Sequence, residues 1–95
     1  MLRKVAANAV DDGAGTHIET RNGFTITYRT AGRTTDIGRE IISLPDGGTG
    51  GSEIDLTVRL NWDDGSEVTL PEKQRIQSDL RDTARLLGTR FVIIL

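Results

Sequence analysis

The sequence predicts an α+β fold: an antiparallel-rich sheet of about five strands with one amphipathic helix packed on a face. Three observations lead to this prediction. Apolar and polar residues alternate through residues 53–62, as they do in a strand with one buried face. A capped helical pattern occupies residues 69–87, and residues 90–95 close the chain as a short apolar run. With 95 residues the chain has room for one hydrophobic core, and therefore for a single domain.

Two segments are expected to lie outside the regular sheet. Residues 1–16 are small and polar, so they are interpreted as a flexible N-terminal arm or a short helix. The predicted α+β domain therefore spans residues 17–95. Residues 45–52 hold four of the eleven glycines and are expected to form a flexible loop.

The first hairpin of the sheet is predicted from a turn dipeptide. Asn22-Gly23 separates two extended runs, and both residues tolerate the positive φ angles of a tight hairpin turn. Phe24, Ile26 and Tyr28 then recur at every second position. We expect these three side chains to share one buried face.

Further strands are expected on either side of the glycine-rich loop. Ala31-Gly32 predicts a second turn, and residues 33–44 predict a third extended segment with a bulge or kink at Gly38. Residues 53–62 predict the next strand, joined by a turn to a short strand at residues 66–70. The final run, at residues 90–95, predicts a strand that is central or covered on both faces.

The helix has recognisable signals at both ends. Thr69 and Glu72 have the spacing of a capping box, and Pro71 is tolerated in the first turn, where backbone N–H groups lack helical partners. Gly88 is placed to end the helix. One apolar stripe is expected to face the sheet, formed by Ile76, Leu80, Ala84 and Leu87.

The composition excludes several classes of function. The absence of cysteine removes disulfides, thiol catalysis and cysteine metal sites, and it favours the cytoplasm. No apolar run approaches the ~18 residues that would span a bilayer, and a secretory signal is not expected, because no long apolar stretch follows the basic pair Arg3-Lys4. The net charge of −2 argues against general nucleic-acid binding. No membrane or nucleic-acid partner is therefore expected.

No catalytic, cofactor or metal site is predicted. His17 is the only histidine and is interpreted as a strand-edge residue, because no HExxH-type spacing or nucleophile arrangement accompanies it. The glycine-rich loop precedes a strand and lacks the lysine of a phosphate-binding loop. Asp63-Asp64-Gly65 lacks the later acidic residue of a calcium loop and predicts a turn. We expect a protein that is not an enzyme.

Charge is unevenly distributed along the chain. Residues 40–67 hold seven acids against Arg59 alone, a local balance of −6, whereas residues 21–39 hold four arginines against Asp36, a balance of +3. Separated charge of this kind can steer a charged partner. The alternative interpretation is that the two stretches are solvated and neutralise each other across the sheet.

Trp62 permits two interpretations. It ends the alternating series that begins at Ile54, so burial in the core is the favoured one. In the other, Trp62 is a binding anchor at a sheet edge beside the acidic turn, because tryptophan is enriched at interface hot spots.

Several segments resemble the immunity protein 74 family of bacterial polymorphic toxin systems. They are GFTITYRTAGR (23–33), a Trp followed by a turn, LPEKQRIQSDL (70–80), a Gly after the helix, and RFVII (90–94). The resemblance covers residues 18–95 in order and length. It implies a small cytoplasmic α+β protein without catalytic activity that binds and neutralises a cognate toxin.

The sequence and the resemblance together lead to one expected function and one alternative. The expected partner is a cognate toxin domain, and a nuclease would fit because its phosphate-binding site is basic. The expected toxin-binding residues are Glu53, Asp55, Trp62, Asp63, Asp64 and Glu67. The alternative is a structural or assembly module that self-associates through sheet edges, suggested by the apolar residues 91–95.

Overall fold

The structure, a computed structural model, describes residues 1–42 and 51–95. It has an antiparallel five-stranded sheet, called the larger sheet, a three-stranded sheet, called the smaller sheet, and one helix. The larger sheet, in spatial order, contains β1 (Arg3–Ala6), β2 (Ala9–Asp11), β3 (His17–Thr20), β4 (Thr25–Thr30) and β5 (Arg33–Gly38). The smaller sheet contains β6 (Glu40–Ile42), β7 (Gly51–Asp55) and β8 (Arg90–Ile94), and the helix α1 is Leu70–Leu87. The predicted α+β class with a five-stranded antiparallel sheet is confirmed.

The N-terminal residues belong to the larger sheet, so the expectation of a flexible arm over residues 1–16 is wrong for β1 and β2. Val10 pairs with Ile18 across the β2–β3 ladder and is fully buried beneath α1. β2 has three residues and β1 has four exposed ones. Such short strands contain too few positions for a period of two to be recognised in the sequence.

Both predicted hairpins form, but the first does not use the expected turn geometry: neither Asn22 nor Gly23 has a positive φ, and residues 21–24 connect β3 to β4. β3 pairs with β4 across the Asn22-Gly23 turn, and Ile26 and Tyr28 are buried as expected. Phe24 is not buried: it precedes β4, and its N–H donates to Asn22 Oδ1 at 2.7 Å. At the β4–β5 turn, Ala31 and Gly32 both have positive φ, 50° and 76°, as the twist of a tight hairpin requires.

The third extended segment is interrupted at the position where a kink was expected. β5 ends at Gly38 in the larger sheet, and β6 begins at Glu40 in the smaller sheet. Between them, Arg39 donates its backbone N–H to the carbonyl oxygen of Phe24 at 2.9 Å. Of the expected flexible loop at residues 45–52, residues 45–50 lie outside the described part of the chain, and residues 51–52 open β7.

The strand predicted over residues 53–62 is half as long as expected. β7 ends at Asp55, whose Oδ1 accepts the backbone N–H of Thr57 at 2.9 Å and so turns the chain out of the ladder. Leu60 and Trp62 still reach the core, while Val58 is exposed. The predicted strand at residues 66–70 is reduced to one bridge between Asn61 and Glu67.

The helix begins and ends where the sequence predicted. The hydroxyl oxygen of Thr69 accepts the N–H of Glu72, the Glu72 side chain accepts the N–H of Thr69, and Gly88 ends α1 in the left-handed region at φ 69°. Ile76, Leu80 and Ala84 are buried, and Leu87 is partly buried. α1 packs across β1 and β2 of the larger sheet and β8 of the smaller one. No helix in the described part of the chain is long and apolar enough to cross a membrane.

β8 is an edge strand in the order β6-β7-β8, so the expectation of a central or fully covered strand is wrong. Phe91 and Ile93 pack against the core, whereas Val92 and Ile94 are 46% and 41% exposed. The apolar run hides this alternation because both faces of β8 carry similar side chains.

Candidate functional site

The outer face of the smaller sheet, on the side away from α1, combines carboxylates with exposed apolar side chains. Phe91, Ile93 and Ile54 point towards the core, so their strand neighbours point outwards. The ladder places Glu40 opposite Glu53, Glu53 beside Val92, and Asp55 beside Ile94. These five residues, Glu40, Glu53, Asp55, Val92 and Ile94, are called the acidic face.

Two carboxylates of the acidic face lie directly opposite each other. Glu40 and Glu53 are cross-strand partners in the antiparallel β6–β7 ladder. Like charges at such positions repel each other, since their Cβ atoms are about 5 Å apart. Among residues 1–42 and 51–95, no ion pair or hydrogen bond engages either carboxylate. The pair therefore carries negative charge that a cationic partner would compensate.

Two basic residues near the acidic face donate hydrogen bonds to oxygens other than those of Glu40 and Glu53. Arg39 donates through Nε to the carbonyl oxygen of Asn22 at 3.1 Å and through Nη1 to Ser52 Oγ at 3.3 Å. Lys73 donates through Nζ to the carbonyl oxygen of Val58 at 2.7 Å. A depression of about 370 Å³ lies beside Arg39 and is lined by Gly38, Arg39, Glu40, Glu53, Asp55 and Val58.

Asp55 has a structural role as well as a place on the acidic face. Its carboxylate accepts the hydroxyl of Thr57 and the Thr57 backbone N–H, and these two hydrogen bonds lower the pKa of the Asp55 carboxyl. Asp55 is therefore ionised at neutral pH and holds the turn that ends β7.

The predicted acidic residues 63, 64 and 67 lie away from the acidic face. Asp63 Oδ1 accepts the backbone N–H of Thr34 at 3.1 Å and so fastens the turn to β5. Asp64 accepts the hydroxyl and the backbone N–H of Ser66, which lowers the pKa of the Asp64 carboxyl. Glu67 lies 3.8 Å from Arg59 Nε. Of the five predicted acidic residues, only Glu53 and Asp55 line the depression described above.

Trp62 is a core residue, as the favoured interpretation predicted. Its side chain is 3% exposed, and its ring centroid lies 6.3 Å from that of Tyr28. The guanidinium carbon of Arg33 lies 4.5 Å from the indole ring centroid, and indole Nε1 donates to Glu72 Oε1 at 3.3 Å. The ring is thus covered by residues of this chain.

Sequence reasoning missed the ion pair that covers Trp62. Arg33 Nη2 donates to Glu72 Oε2 at 2.6 Å, joining β5 to the first turn of α1. This contact spans 39 positions in the sequence, so no local pattern indicates it. In this pair Arg33, from the basic stretch 21–39, is neutralised by Glu72 and not by a carboxylate of the acidic stretch 40–67.

His17 lies between the carboxylates of Asp11 and Glu19. His17 Nδ1 lies 3.0 Å from Asp11 Oδ2, and His17 Nε2 lies 3.8 Å from Glu19 Oε1. The hydrogen bond from the backbone N–H of Gly13 lowers the pKa of the Asp11 carboxyl most, and the hydrogen bond with His17 lowers it further. Within residues 1–42 and 51–95 no group of three or more His, Asp or Glu side chains is arranged to hold a metal ion.

Comparisons of this chain with known proteins found no match. No family model, no curated protein and no solved structure matches the chain.

Proposed function

We propose that the protein is a non-catalytic inhibitor that binds and neutralises a cognate bacterial toxin in the cytoplasm, and that the acidic face is its binding surface. The observation that carries this proposal is the cross-strand pair of Glu40 and Glu53, two carboxylates without a cationic partner among the described residues. The resemblance of residues 18–95 to the immunity protein 74 family supports the same function.

The chemistry of the acidic face defines the surface that it would bind. Three carboxylates attract a basic protein surface at long range and raise the rate of association. Val92 and Ile94, at the rim of these carboxylates, offer apolar contact once the partner has arrived. A lysine or arginine placed between Glu40 and Glu53 would relieve their repulsion. A nuclease toxin has such cations where it holds phosphates, so occupying them would block its substrate.

Growth of bacteria that express the toxin tests the proposal. The proposed toxin, sought as a domain encoded beside this chain, is expressed alone and together with the chain. We expect the wild-type chain to restore growth, and the double variant Glu40→Lys/Glu53→Lys to lose the rescue. Glu67→Lys is the matched control, because Glu67 is an exposed carboxylate outside the acidic face. Absence of rescue by the wild type, or equal rescue by the double variant, would contradict the proposal.

A further inference from the structure

The outer edge of β8 presents backbone groups without partners in the described part of the chain. Leu56 N–H donates to the carbonyl oxygen of Ile94 at 2.8 Å, so the Ile94 carbonyl points towards β7. Hydrogen-bonding direction alternates along a strand in a parallel ladder. The N–H and C=O groups of Phe91 and Ile93 therefore point to the opposite side, where no hydrogen bond from residues 1–42 or 51–95 meets them.

This edge lacks the features that usually prevent strand pairing. β8 has one charged residue, Arg90 at its start, and residues 91–95 include no charge, proline or glycine. β1, the first strand of the larger sheet, differs: it carries Arg3 and Lys4, and its ladder register shifts between Lys4 and Ala6. Charged residues and irregular register are the common means of blocking an edge. β8 is thus an edge of this protein suited to receiving another strand.

We propose that the occupant is the β8 strand of a second copy of this chain, paired antiparallel about a twofold axis at Val92. In this register Phe91 lies opposite the second copy's Ile93, and Val92 lies opposite itself. The outward N–H and C=O groups of Phe91 and Ile93 then form four hydrogen bonds with their equivalents. Such an interface is isologous, since each copy contributes the same surface.

The charges of the strand favour this register. Arg90, at the start of β8, lies opposite the second copy's Ile94, so the two arginines are at opposite ends of the paired strands. Ile94 is the ladder neighbour of Asp55. In this register each Arg90 is two strands away from the second copy's Asp55. The two acidic faces lie on the same side of a continuous six-stranded sheet and remain uncovered, so the pairing does not depend on the inhibitor function.

Disulfide trapping tests the register directly. The chain has no cysteine, so a cross-link in Val92→Cys joins only the introduced thiols. Val92 would occupy a non-hydrogen-bonded pair, with Cα atoms about 4.5 Å apart, within the range that a disulfide bridges. We expect the Val92→Cys variant to form a covalent dimer under mild oxidation. Phe24→Cys is the control: Phe24 is 77% exposed, so random collision would cross-link it at least as fast. Cross-linking no faster at position 92 than at position 24 would overturn the proposal.

Sedimentation of the wild-type chain gives an independent readout of dimerisation. The interface is small, so we expect a weak dimer that forms as the concentration is raised to about 1 mM. Val92→Lys would set two like charges opposite each other and is expected to weaken the dimer at least about tenfold. Val58→Lys is the matched control, because Val58 is 49% exposed, close to the 46% of Val92, but lies in the turn after β7. A wild type that stays monomeric at all concentrations, or equal dimerisation of Val92→Lys, would contradict the proposed pairing.

Discussion

The carboxylate of Glu72 connects three parts of the fold. Its Oε1 accepts the backbone N–H of Thr69 at 2.9 Å and indole Nε1 of Trp62 at 3.3 Å, while its Oε2 accepts Arg33 Nη2 at 2.6 Å. One side chain thus caps α1, orients the buried Trp62 and fastens β5 to the helix. Glu72→Gln preserves the shape of the side chain and removes its charge, so it isolates the electrostatic part of these contacts.

The magnitude of the effect follows from the pKa of Glu72. The backbone N–H of Thr69 lowers the pKa of this carboxyl from 4.5 to about 2, with help from Arg33 and Trp62. At about 1.36 kcal/mol for each pKa unit, this difference of roughly 2.5 sets a ceiling of about 3.4 kcal/mol. The side chain is 28% exposed, so water screens part of the interaction. We expect Glu72→Gln to lower the free energy of unfolding by about 1–2 kcal/mol at pH 7.

The pH dependence has a defined sign. Because the pKa of Glu72 is lower in the folded chain than in the unfolded one, the ionised carboxylate stabilises the fold above about pH 4.5. This stabilisation is lost as the pH falls through about 2. By proton linkage, the difference between wild type and Glu72→Gln at pH 2.5 should be at most about a quarter of its value at pH 7.

Urea unfolding followed by far-UV circular dichroism at pH 7 and pH 2.5 measures both differences. Glu67→Gln is the control, because Glu67 is 58% exposed and lies 3.8 Å from Arg59; we expect a change below about 0.5 kcal/mol. A Glu72→Gln effect that does not change between the two pH values would show that the charge is not responsible for the stabilisation.

Three further variants test the packing and the turns, each by urea unfolding at pH 7. Val10→Ala should lower the free energy of unfolding by about 2 kcal/mol, because Val10 is fully buried; an unchanged midpoint would mean that β2 does not contribute to the core. Gly88→Ala should cost about 1 kcal/mol, because the C-cap has φ 69°, and a stabilising effect would contradict that geometry. Tyr28→Phe should cost about 1–2 kcal/mol by removing the 2.6 Å hydrogen bond from the Tyr28 hydroxyl to Asp79 Oδ2; an equally stable variant would argue against that bond.

The parts of the fold that the sequence predicts are those encoded by neighbouring residues. The capping box of Thr69 and Glu72 and the positive-φ glycine at position 88 are local, and they define both ends of α1. The Ala31-Gly32 turn is local in the same sense, because both residues have positive φ. Each of these signals depends on a backbone geometry that only a few residue types favour.

Other parts depend on distant contacts, which local patterns do not contain. The alternation through residues 53–62 continues after the ladder has ended, because Leu60 and Trp62 reach the core from either side of the Asn61–Glu67 bridge and not from a strand of the sheet. β8 is apolar on both faces, although only one of them is covered. The length of a strand and its place in a sheet are thus set by its partners.

The candidate site likewise has a part that local sequence indicates and a part that depends on distant contacts. Glu53 and Asp55 are two residues apart in one strand, so their common face follows from the period of two. Glu40 joins them only through the β6–β7 register, which the sequence does not indicate. Conversely, Asp63 and Asp64 have a favourable composition for the site, but the structure uses them to hold a turn.

The rate at which the chain associates with its proposed toxin tests the inhibitor proposal most directly. Stopped-flow mixing at low and high salt would compare the wild type with Glu40→Lys/Glu53→Lys. We expect a one-to-one complex whose association slows at high salt, and a double variant that associates more slowly than the wild type at low salt. No complex, or equal association rates for both proteins at low salt, would contradict the role proposed for the acidic face.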